Sequence, residues 1–427
     1  MNKKLFDYIN ASPTAYHACA HTAEILTDAG YTRLCEGECW TLEAGKGYFT
    51  ERNGSSVIAF RIPQNDARGF MIAAAHADSP CFKIKENAEL CDKNFTRLSV
   101  ERYGGMLCST WMDRPLSAAG RATVRTEKGL EIKLFDLGEP CAVIPNVAIH
   151  MNRQANDGMS YNAAVDMLPL FESGAKEKAF SDKLAASVGV SSDDIVSTDA
   201  FLYNPQKGIE WGEYISSPRL DDLQCAFSSL EAFLAAENSE SVPVFALFDN
   251  EEVGSQTKQG AASTFLYDVL SRINSATGKD GENYLRMLTN SFMVSCDNAH
   301  SLHPNHPEHA DRNHTVTMNG GIVIKYNANQ RYTSDGVSSA IFKLICERAS
   351  VPYQLYCNRA DIAGGSTLGN IANTQVSLNT VDIGLAQLAM HSSFETAGAR
   401  DTEYMVNALK KFYSTSLYKT ESGYDIK

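Results

Sequence analysis

Short runs of almost entirely apolar residues recur along the chain between longer polar segments. Phe70–Ala75, Val244–Leu247 and Phe292–Cys296 are the clearest of these runs. Each is too short for a typical helix and lacks the alternation of a strand with one solvated face. Such runs are typical of strands that are buried on both faces of a parallel sheet. We therefore predict that these three runs lie at the centre of an open α/β sheet.

Each of these runs ends at side chains that can bind a metal ion. His76 follows the first run, with Asp78 two residues later. The pair Glu251 and Glu252 follows the second run, and Asp297 follows the third. Carboxylates crowded at a sheet edge repel each other unless a cation lies among them. Because ligands of open α/β sheets bind at the carboxyl ends of the strands, we expect these side chains to meet at one metal site.

The two adjacent glutamates, Glu251 and Glu252, can have different roles. One carboxylate can bind the metal while the other accepts a proton from the attacking water. The carboxylate of Asp78 can orient the ring of His76 from behind. The alternative for an isolated acidic pair is a solvated loop, so the prediction depends on all the strand ends meeting.

Helices and further strands are predicted around this centre. Residues 12–30 form a helix that begins at a Ser-Pro pair and ends at glycine. Asp221 and Asp222 begin a second helix, in which they either cap the N-terminus or bind the metal. Residues 376–383 form a last strand, and His391 begins the closing helix.

The middle of the chain has a different character. It contains a hairpin over residues 122–134 and a polar helix over residues 175–186. Far more residues separate His76 from Asp221 than the dozen or so that a parallel crossover needs. We therefore predict an inserted β-rich domain and divide the chain into 1–90 (main domain, first part), 91–206 (inserted domain) and 207–427 (main domain, second part).

Composition and charge narrow the choice of partners. The chain has 427 residues, enough for two domains, and its 38 basic and 51 acidic residues give a formal charge of −13. This charge argues against nucleic acid or an anionic membrane as the main partner. No apolar stretch is long enough to span a membrane, and the N-terminal residues lack a signal-peptide core, so we expect a cytoplasmic protein. The 11 cysteines show no CxxC spacing and predict reduced thiols.

Six separated segments resemble the aspartyl aminopeptidase family of dinuclear zinc exopeptidases, and the resemblance covers nearly the whole chain. It implies a mixed, largely parallel sheet flanked by helices, with the inserted β-rich domain serving dimerisation. It also implies a homo-oligomer of twelve subunits built from dimers. The segments are HADSP at 76–80, SPRLDDL at 217–223, DNEEVGS at 249–255, DNAHSLHPN at 297–305, KYNANQRY at 325–332 and GGST at 364–367.

The resemblance implies a ligand set for two zinc ions per subunit, with other divalent metals as alternatives. Asp221 would bridge the two ions. His76 and Asp297 would complete the ligands of one ion. Glu252 and His391 would complete those of the other.

The remaining implied roles concern catalysis and the substrate. Glu251 would be the general base. His300, Lys325 and Tyr332 correspond to positions that contact substrate. His150, in the inserted domain, corresponds to a histidine that reaches the site of a neighbouring subunit.

These expectations lead to one principal hypothesis and two alternatives. The principal hypothesis is a metal-dependent aminopeptidase that removes Asp or Glu from the N-terminus of peptides. One alternative is a related dinuclear zinc hydrolase, either a deacylase or an aminopeptidase with an apolar preference. The other is a non-catalytic, metal-stabilised assembly protein, for which an unligated acid such as Glu251 has no use.

Overall fold

A nine-stranded sheet forms the centre of the main domain in the computed structural model, which describes residues 1–427. Its four central strands are parallel to one another, and several outer pairings are antiparallel. The sheet is therefore mixed and largely parallel, as predicted. In spatial order its strands are Thr32–Arg33, Gly47–Arg52, Ser56–Arg61, Val242–Phe248, Phe70–His76, Phe292–Cys296, Asn379–Gly384, Ile322–Tyr326 and Tyr353–Cys357.

The central strands are buried on both faces, which explains their unbroken apolar sequence. Every residue of the strand Phe70–His76 is buried. Met71 and Ala73 point into a core of 48 buried residues on one face of the sheet. Phe70 and Ile72 point into a core of 24 buried residues on the other face. Because successive side chains of a strand point to opposite faces, a strand between two cores needs apolar residues at every position.

Helices cover both faces of this sheet. Leu220–Ala235 and Asp401–Tyr413 pack side by side over the larger core. No helix combines the length and the apolar sequence that crossing a lipid bilayer requires. The nine helices are Asn2–Asn10, Ala15–Asp28, Ala179–Val188, Leu220–Ala235, Phe265–Ala276, Gly281–Thr289, Gly336–Arg348, Leu368–Ala372 and Asp401–Tyr413.

The inserted domain is an antiparallel sheet of seven strands around its own core of 19 buried residues. The sheet closes on itself because Ile195–Tyr203 pairs with both Cys81–Cys91 and Pro115–Thr126. Gly129–Asp136 pairs only with Pro115–Thr126 and is left as a free edge. The strands are Cys81–Cys91, Phe95–Tyr103, Pro115–Thr126, Gly129–Asp136, Ala142–Val143, Leu170–Ser173 and Ile195–Tyr203.

Strand pairing moves the predicted beginning of the inserted domain from residue 91 to Cys81. The strand Cys81–Cys91 pairs with Phe95–Tyr103 and Ile195–Tyr203 of the second sheet and with no strand of the first. The sequence reasoning placed this strand with the main domain because it follows the HADSP segment closely. The predicted end at residue 206 follows the last strand of the second sheet.

The prediction that His391 begins the closing helix is wrong. His391 lies in a turn with φ of 67°, and the closing helix is Asp401–Tyr413. Between them, Glu395–Gly398 pairs with the strand Tyr214–Ser217. These strands belong to a small sheet of Ile209–Trp211, Tyr214–Ser217, Glu395–Gly398, Ala386–Leu388 and Ala299–His300.

Most other local predictions are confirmed with shifted ends. The helix predicted over 12–30 is Ala15–Asp28, and the polar helix predicted over 175–186 is Ala179–Val188. The hairpin predicted over 122–134 is longer, because its strands extend into the closed sheet. A final two-stranded sheet, Leu417–Lys419 with Tyr424–Ile426, ends the chain.

Candidate metal centre

The ends of the central strands bring distant carboxylates and a histidine to one place. His76 ends its strand and lies opposite Phe248 of the neighbouring parallel strand. A short turn that contains Glu251 and Glu252 follows Phe248. On the other side, Ser295 lies opposite Ala74, so Asp297 reaches the level of His76. The register of the sheet therefore brings these strand ends together, as predicted.

Asp221 and His391 complete the cluster from the start of a helix and from the turn before Glu395–Gly398. One oxygen of Asp221, Oδ1, lies 3.5 Å from His76 Nε2. The other, Oδ2, lies 3.6 Å from His391 Nε2. His391 Nε2 is also 3.3 Å from Glu252 Oε2. The carboxylate of Asp221 thus lies between two separate histidines.

The side chains form two donor sets that share Asp221. One set is His76, Asp221, Asp222 and Asp297, and the other is Asp221, Glu252 and His391; in each, the donor atoms lie within 4.8 Å of one another.

Three carboxylate oxygens of these sets, Asp221 Oδ1, Asp222 Oδ1 and Glu252 Oε1, are buried without a hydrogen-bond partner. Buried polar atoms are almost always paired, so the three atoms indicate a missing ligand. Imidazole and carboxylate donors at such spacing suit zinc. The residues therefore fit a pair of zinc ions.

Asp78 holds the histidine and the glutamate turn in position. Its backbone carbonyl accepts from His76 Nδ1 at 3.0 Å, and its carboxylate Oδ1 lies 3.4 Å from the same nitrogen. The carboxylate also accepts the backbone N–H groups of Glu251 and Glu252 at 3.1 and 3.2 Å. Tyr103 Oη donates to Asp78 Oδ2 at 2.6 Å. These contacts direct Nε2 of His76 toward the cluster and tie the inserted domain to it.

Glu395 is a supporting residue that the sequence reasoning missed. Its carboxylate is buried and accepts the backbone N–H of Asp221 at 3.0 Å and that of His391 at 2.8 Å. It therefore fixes two of the candidate ligands at once. Nothing in the local pattern around Glu395 distinguishes it from other acids, because its partners are far away in the sequence.

The electrostatics of the cluster favour a cation. Burial raises the pKa of Glu251 to about 8, His76 lowers it, and Asp297 raises it again. Burial also raises the pKa values of Glu252 and Asp222 well above their ordinary values. The histidines offset only part of the negative charge that the ionised carboxylates would carry. A divalent cation would remove the repulsion and let the carboxylates ionise.

The cluster forms one wall of a cavity of about 150 Å³. Of the residues predicted to contact substrate, His300, Lys325 and Tyr332 line this cavity. His150 does not, since it lies exposed in the inserted domain. The other lining residues include Tyr356, Ser366, Thr367 and Met390.

Lys325 places a positive charge in the cavity wall. The residue is 3% exposed, and its Nζ donates to the backbone carbonyl of Asn298 at 2.7 Å and lies 3.8 Å from Asp297 Oδ1. Burial lowers the pKa of Lys325, but Asp297 and other nearby groups raise it by a larger amount. The net effect is a raised pKa, so the ammonium stays charged. The pKa of the neighbouring His300 is lowered, first by desolvation and then by Lys325, which keeps this imidazole neutral.

The chain is similar to known proteins in both sequence and structure. Residues 8–413 match the family described as aminopeptidase I zinc metalloprotease (M18). The chain is 43% identical over 424 residues to the probable M18 family aminopeptidase 2 of Clostridium acetobutylicum, which covers 96% of this chain and 98% of that protein.

Solved structures share the fold over almost the entire chain. The structure of the Ape4 and Nbr1 complex contains a chain with a TM-score of 0.93 and 35% identity, covering 96% of this chain and 84% of that one. The mApe1 dodecamer of S. cerevisiae gives a TM-score of 0.84 and 28% identity, covering 96% and 95%.

Proposed function

Since the chain belongs to the M18 family of zinc metallo-aminopeptidases, we propose that it removes N-terminal Asp or Glu from peptides at a centre for two zinc ions. The observation that carries the two-ion proposal is the position of Asp221. Its two oxygens face His76 and His391 on opposite sides, as a bridging carboxylate requires. Other divalent metals with the same ligand preference would fit as well.

The ligand assignment uses the two donor sets without Asp222, whose carboxylate already accepts the backbone N–H of His76 at 3.3 Å. His76 and Asp297 would hold one ion, Glu252 and His391 the other, and Asp221 both. Bound zinc supplies a Lewis acid that polarises the peptide carbonyl and makes water acidic enough to attack near neutral pH.

Glu251 would act as the general base. Its carboxylate lies within 4.8 Å of donor atoms of His76 and Glu252, but it belongs to neither of the two sets that share Asp221. Its carboxylate would accept a proton from the attacking water and deliver it to the leaving amine. The backbone N–H of Glu251 is held by Asp78, which limits where the carboxylate can swing. A base in this position needs an ionised carboxylate, which the adjacent cations would favour over the raised pKa of the metal-free chain.

The proposed preference for an acidic first residue depends on Lys325. This ammonium is the buried cation of the cavity wall, and it lies close enough to the cluster to meet the side chain of the residue being removed. An Asp or Glu side chain would form a charge-assisted hydrogen bond with it. An apolar side chain would leave the ammonium without that partner.

Release rates on matched peptides that begin with Asp, Glu or Leu would test the preference. In Lys325→Met, kcat/KM for the acidic peptides should fall by about 10- to 100-fold, the worth of one hydrogen bond to a charged group. The rate for the Leu peptide should change much less. The exposed Lys258→Met is the matched control, and zinc content shows whether the centre is intact.

Two outcomes would favour the alternatives. Faster release of Leu than of Asp or Glu in the unchanged protein would indicate an aminopeptidase with an apolar preference. Hydrolysis of N-acylated amino acids in place of peptides would indicate a deacylase. That the protein acts in the cytoplasm stays a prediction from the sequence.

We also propose that the chain assembles into dimers through its inserted domain, and that these dimers form a dodecamer. The free edge strand Gly129–Asp136 exposes Leu130 and Ile132, which are 65% and 63% accessible. Apolar side chains on an unpaired edge are a template for pairing with another chain. In the same domain His150 is exposed and free to reach a second subunit.

Sedimentation analysis would test this assembly. Ile132→Lys places a charge on the edge and should shift the protein to smaller species with reduced activity. Lys128→Ala, in the adjacent turn, is the control that should leave the assembly unchanged. A fully active monomer at low concentration would contradict the proposal.

A further inference from the structure

Three histidines spaced three residues apart lie outside the cavity of the metal centre. His303, His306 and His309 belong to an exposed segment that also contains Pro304 and Pro307. The prolines exclude a regular helix interior. The chain instead makes successive tight turns, because His306 N–H donates to the carbonyl of His303 and His309 N–H to that of His306, each at 3.2 Å.

This backbone brings the three imidazoles onto one side of the segment. In turns with hydrogen bonds three residues apart, side chains at i and i+3 lie almost above one another. The ring centroids of His303 and His306 are 5.2 Å apart, and those of His306 and His309 are 5.7 Å apart. Consecutive turns therefore produce a row of rings that the prolines help to fix.

Glu308 adds a carboxylate to this row. Its Oε1 lies 2.9 Å from His306 Nδ1 and 4.0 Å from His309 Nε2. The donor atoms of His306, Glu308 and His309 all lie within 4.8 Å of one another. These side chains are each more than half exposed, so an ion can enter without any rearrangement of the core.

We propose that this segment binds one divalent transition-metal ion through His306, Glu308 and His309. Two imidazoles and a carboxylate match the donors that Zn²⁺ prefers, and Ni²⁺ and Cu²⁺ accept the same set. His303 is not one of these ligands, because its Nδ1 accepts the backbone N–H of Asn305 at 3.2 Å, which places the ring proton of the neutral imidazole on Nε2. Water completes the coordination.

The site is separate from the catalytic cluster. None of its residues lines the cavity of the metal centre. Arg359 contacts the segment from the main domain: it donates to the backbone carbonyl of Glu308 and pairs with Asp361. The proposal therefore does not depend on the assigned peptidase chemistry.

Zinc stoichiometry of the full, untagged chain would test the site. Protein dialysed against micromolar free Zn²⁺ is analysed for bound zinc by mass spectrometry, alongside the double variant His306→Ala with His309→Ala. We expect the unchanged chain to hold one more zinc equivalent than the double variant. Peptidase activity of both proteins should be the same, which shows that the catalytic centre is filled in each.

The matched control is His314→Ala, a histidine of the same loop that pairs with Asp311 instead of joining the row. It should keep the extra zinc equivalent. Glu308→Gln should weaken binding of this ion and leave the imidazoles in place. Equal zinc content in the unchanged chain and the double variant would overturn the proposal, and so would equal loss in the double variant and in His314→Ala.

Discussion

The metal centre and the surface of the inserted domain differ in how far their functional residues are exposed to solvent. At the centre, His76, Asp221 and Glu252 have nearly inaccessible side chains that converge from elements of one chain. In the inserted domain, apolar side chains and His150 lie exposed. Packing within one chain completes the metal centre. The inserted domain instead exposes surface that a neighbouring subunit can cover.

The comparison shows where each part of the activity should reside. Ligands and the general base need fixed, water-poor positions, which a buried sheet edge supplies. Contacts between subunits need accessible surface before assembly. Tyr103 joins the two regions, because it lies on a strand of the inserted domain and donates to Asp78 behind the metal centre.

The largest expected effect comes from Glu251, the proposed general base of the buried region. Glu251→Gln should lower kcat by about 10² to 10⁴, the usual contribution of a positioned proton acceptor, with zinc content unchanged. Steady-state turnover of an N-terminal Asp peptide measures it. Glu282→Gln, an exposed acid of the same domain, is the control. Unimpaired turnover would remove Glu251 from the mechanism.

The next effect belongs to the exposed region. If His150 contacts the site of a neighbouring subunit as proposed, His150→Ala should lower kcat/KM by about 10- to 100-fold, which is the contribution of one hydrogen bond to a charged group. Arg153→Ala, on the same loop, should have little effect.

Mixed assemblies would separate the two regions further. When His150→Ala and Glu251→Gln subunits are combined, some sites receive an intact centre from one subunit and an intact histidine from the other. Activity should then exceed that of either variant alone. No recovery on mixing would mean that His150 serves its own subunit.

A smaller effect is expected where the two regions meet. Tyr103→Phe removes the hydroxyl that donates to Asp78 and accepts from Asn250, without altering the ring that packs on Phe201. We expect kcat/KM to fall by about tenfold, the equivalent of about 1.4 kcal/mol. Tyr161→Phe, whose hydroxyl makes no such bond, is the matched control in the same domain. Unchanged kinetics would mean that the domains are coupled by packing alone.

The smallest expected effect concerns pH and tests the buried region alone. Burial raises the pKa of Asp249 to about 7 and that of Glu251 to about 8, above the values of the unfolded chain. Between their unfolded and folded pKa values, these two carboxyls bind more protons in the folded, metal-free chain than in the unfolded chain. Their contribution to stability is therefore greatest in acid and is lost as the pH rises through the folded values.

Melting temperatures measured with and without chelator would show the direction in which stability changes with pH. The metal-free protein should melt a few degrees higher at about pH 6 than at about pH 8.5. The zinc-loaded protein should show the reverse, because protons compete with the metal for its ligands. The same trend in both forms would show that the carboxylates of the centre do not bind the metal.

Much of the fold was predictable because the signals are local. The apolar runs before His76, Glu251 and Asp297 predicted buried strands, and all three are central in the sheet. The start of the inserted domain was misplaced because Cys81–Cys91 pairs with a strand more than a hundred residues away, a relation that no local pattern records. His391 was assigned to the closing helix because its turn carries no distinctive breaker.

The sequence alone determined which kinds of side chain form the metal centre and which strand ends bear most of them. Buried strands require apolar runs, and a cation requires donor side chains close to one another. Only the tertiary structure revealed how those donors are supported. Glu395 fixes Asp221 and His391, and Tyr103 reaches Asp78 from the other domain. The physical reason is that strand burial leaves a periodic trace in neighbouring residues, whereas a hydrogen bond between residues far apart in the chain leaves none.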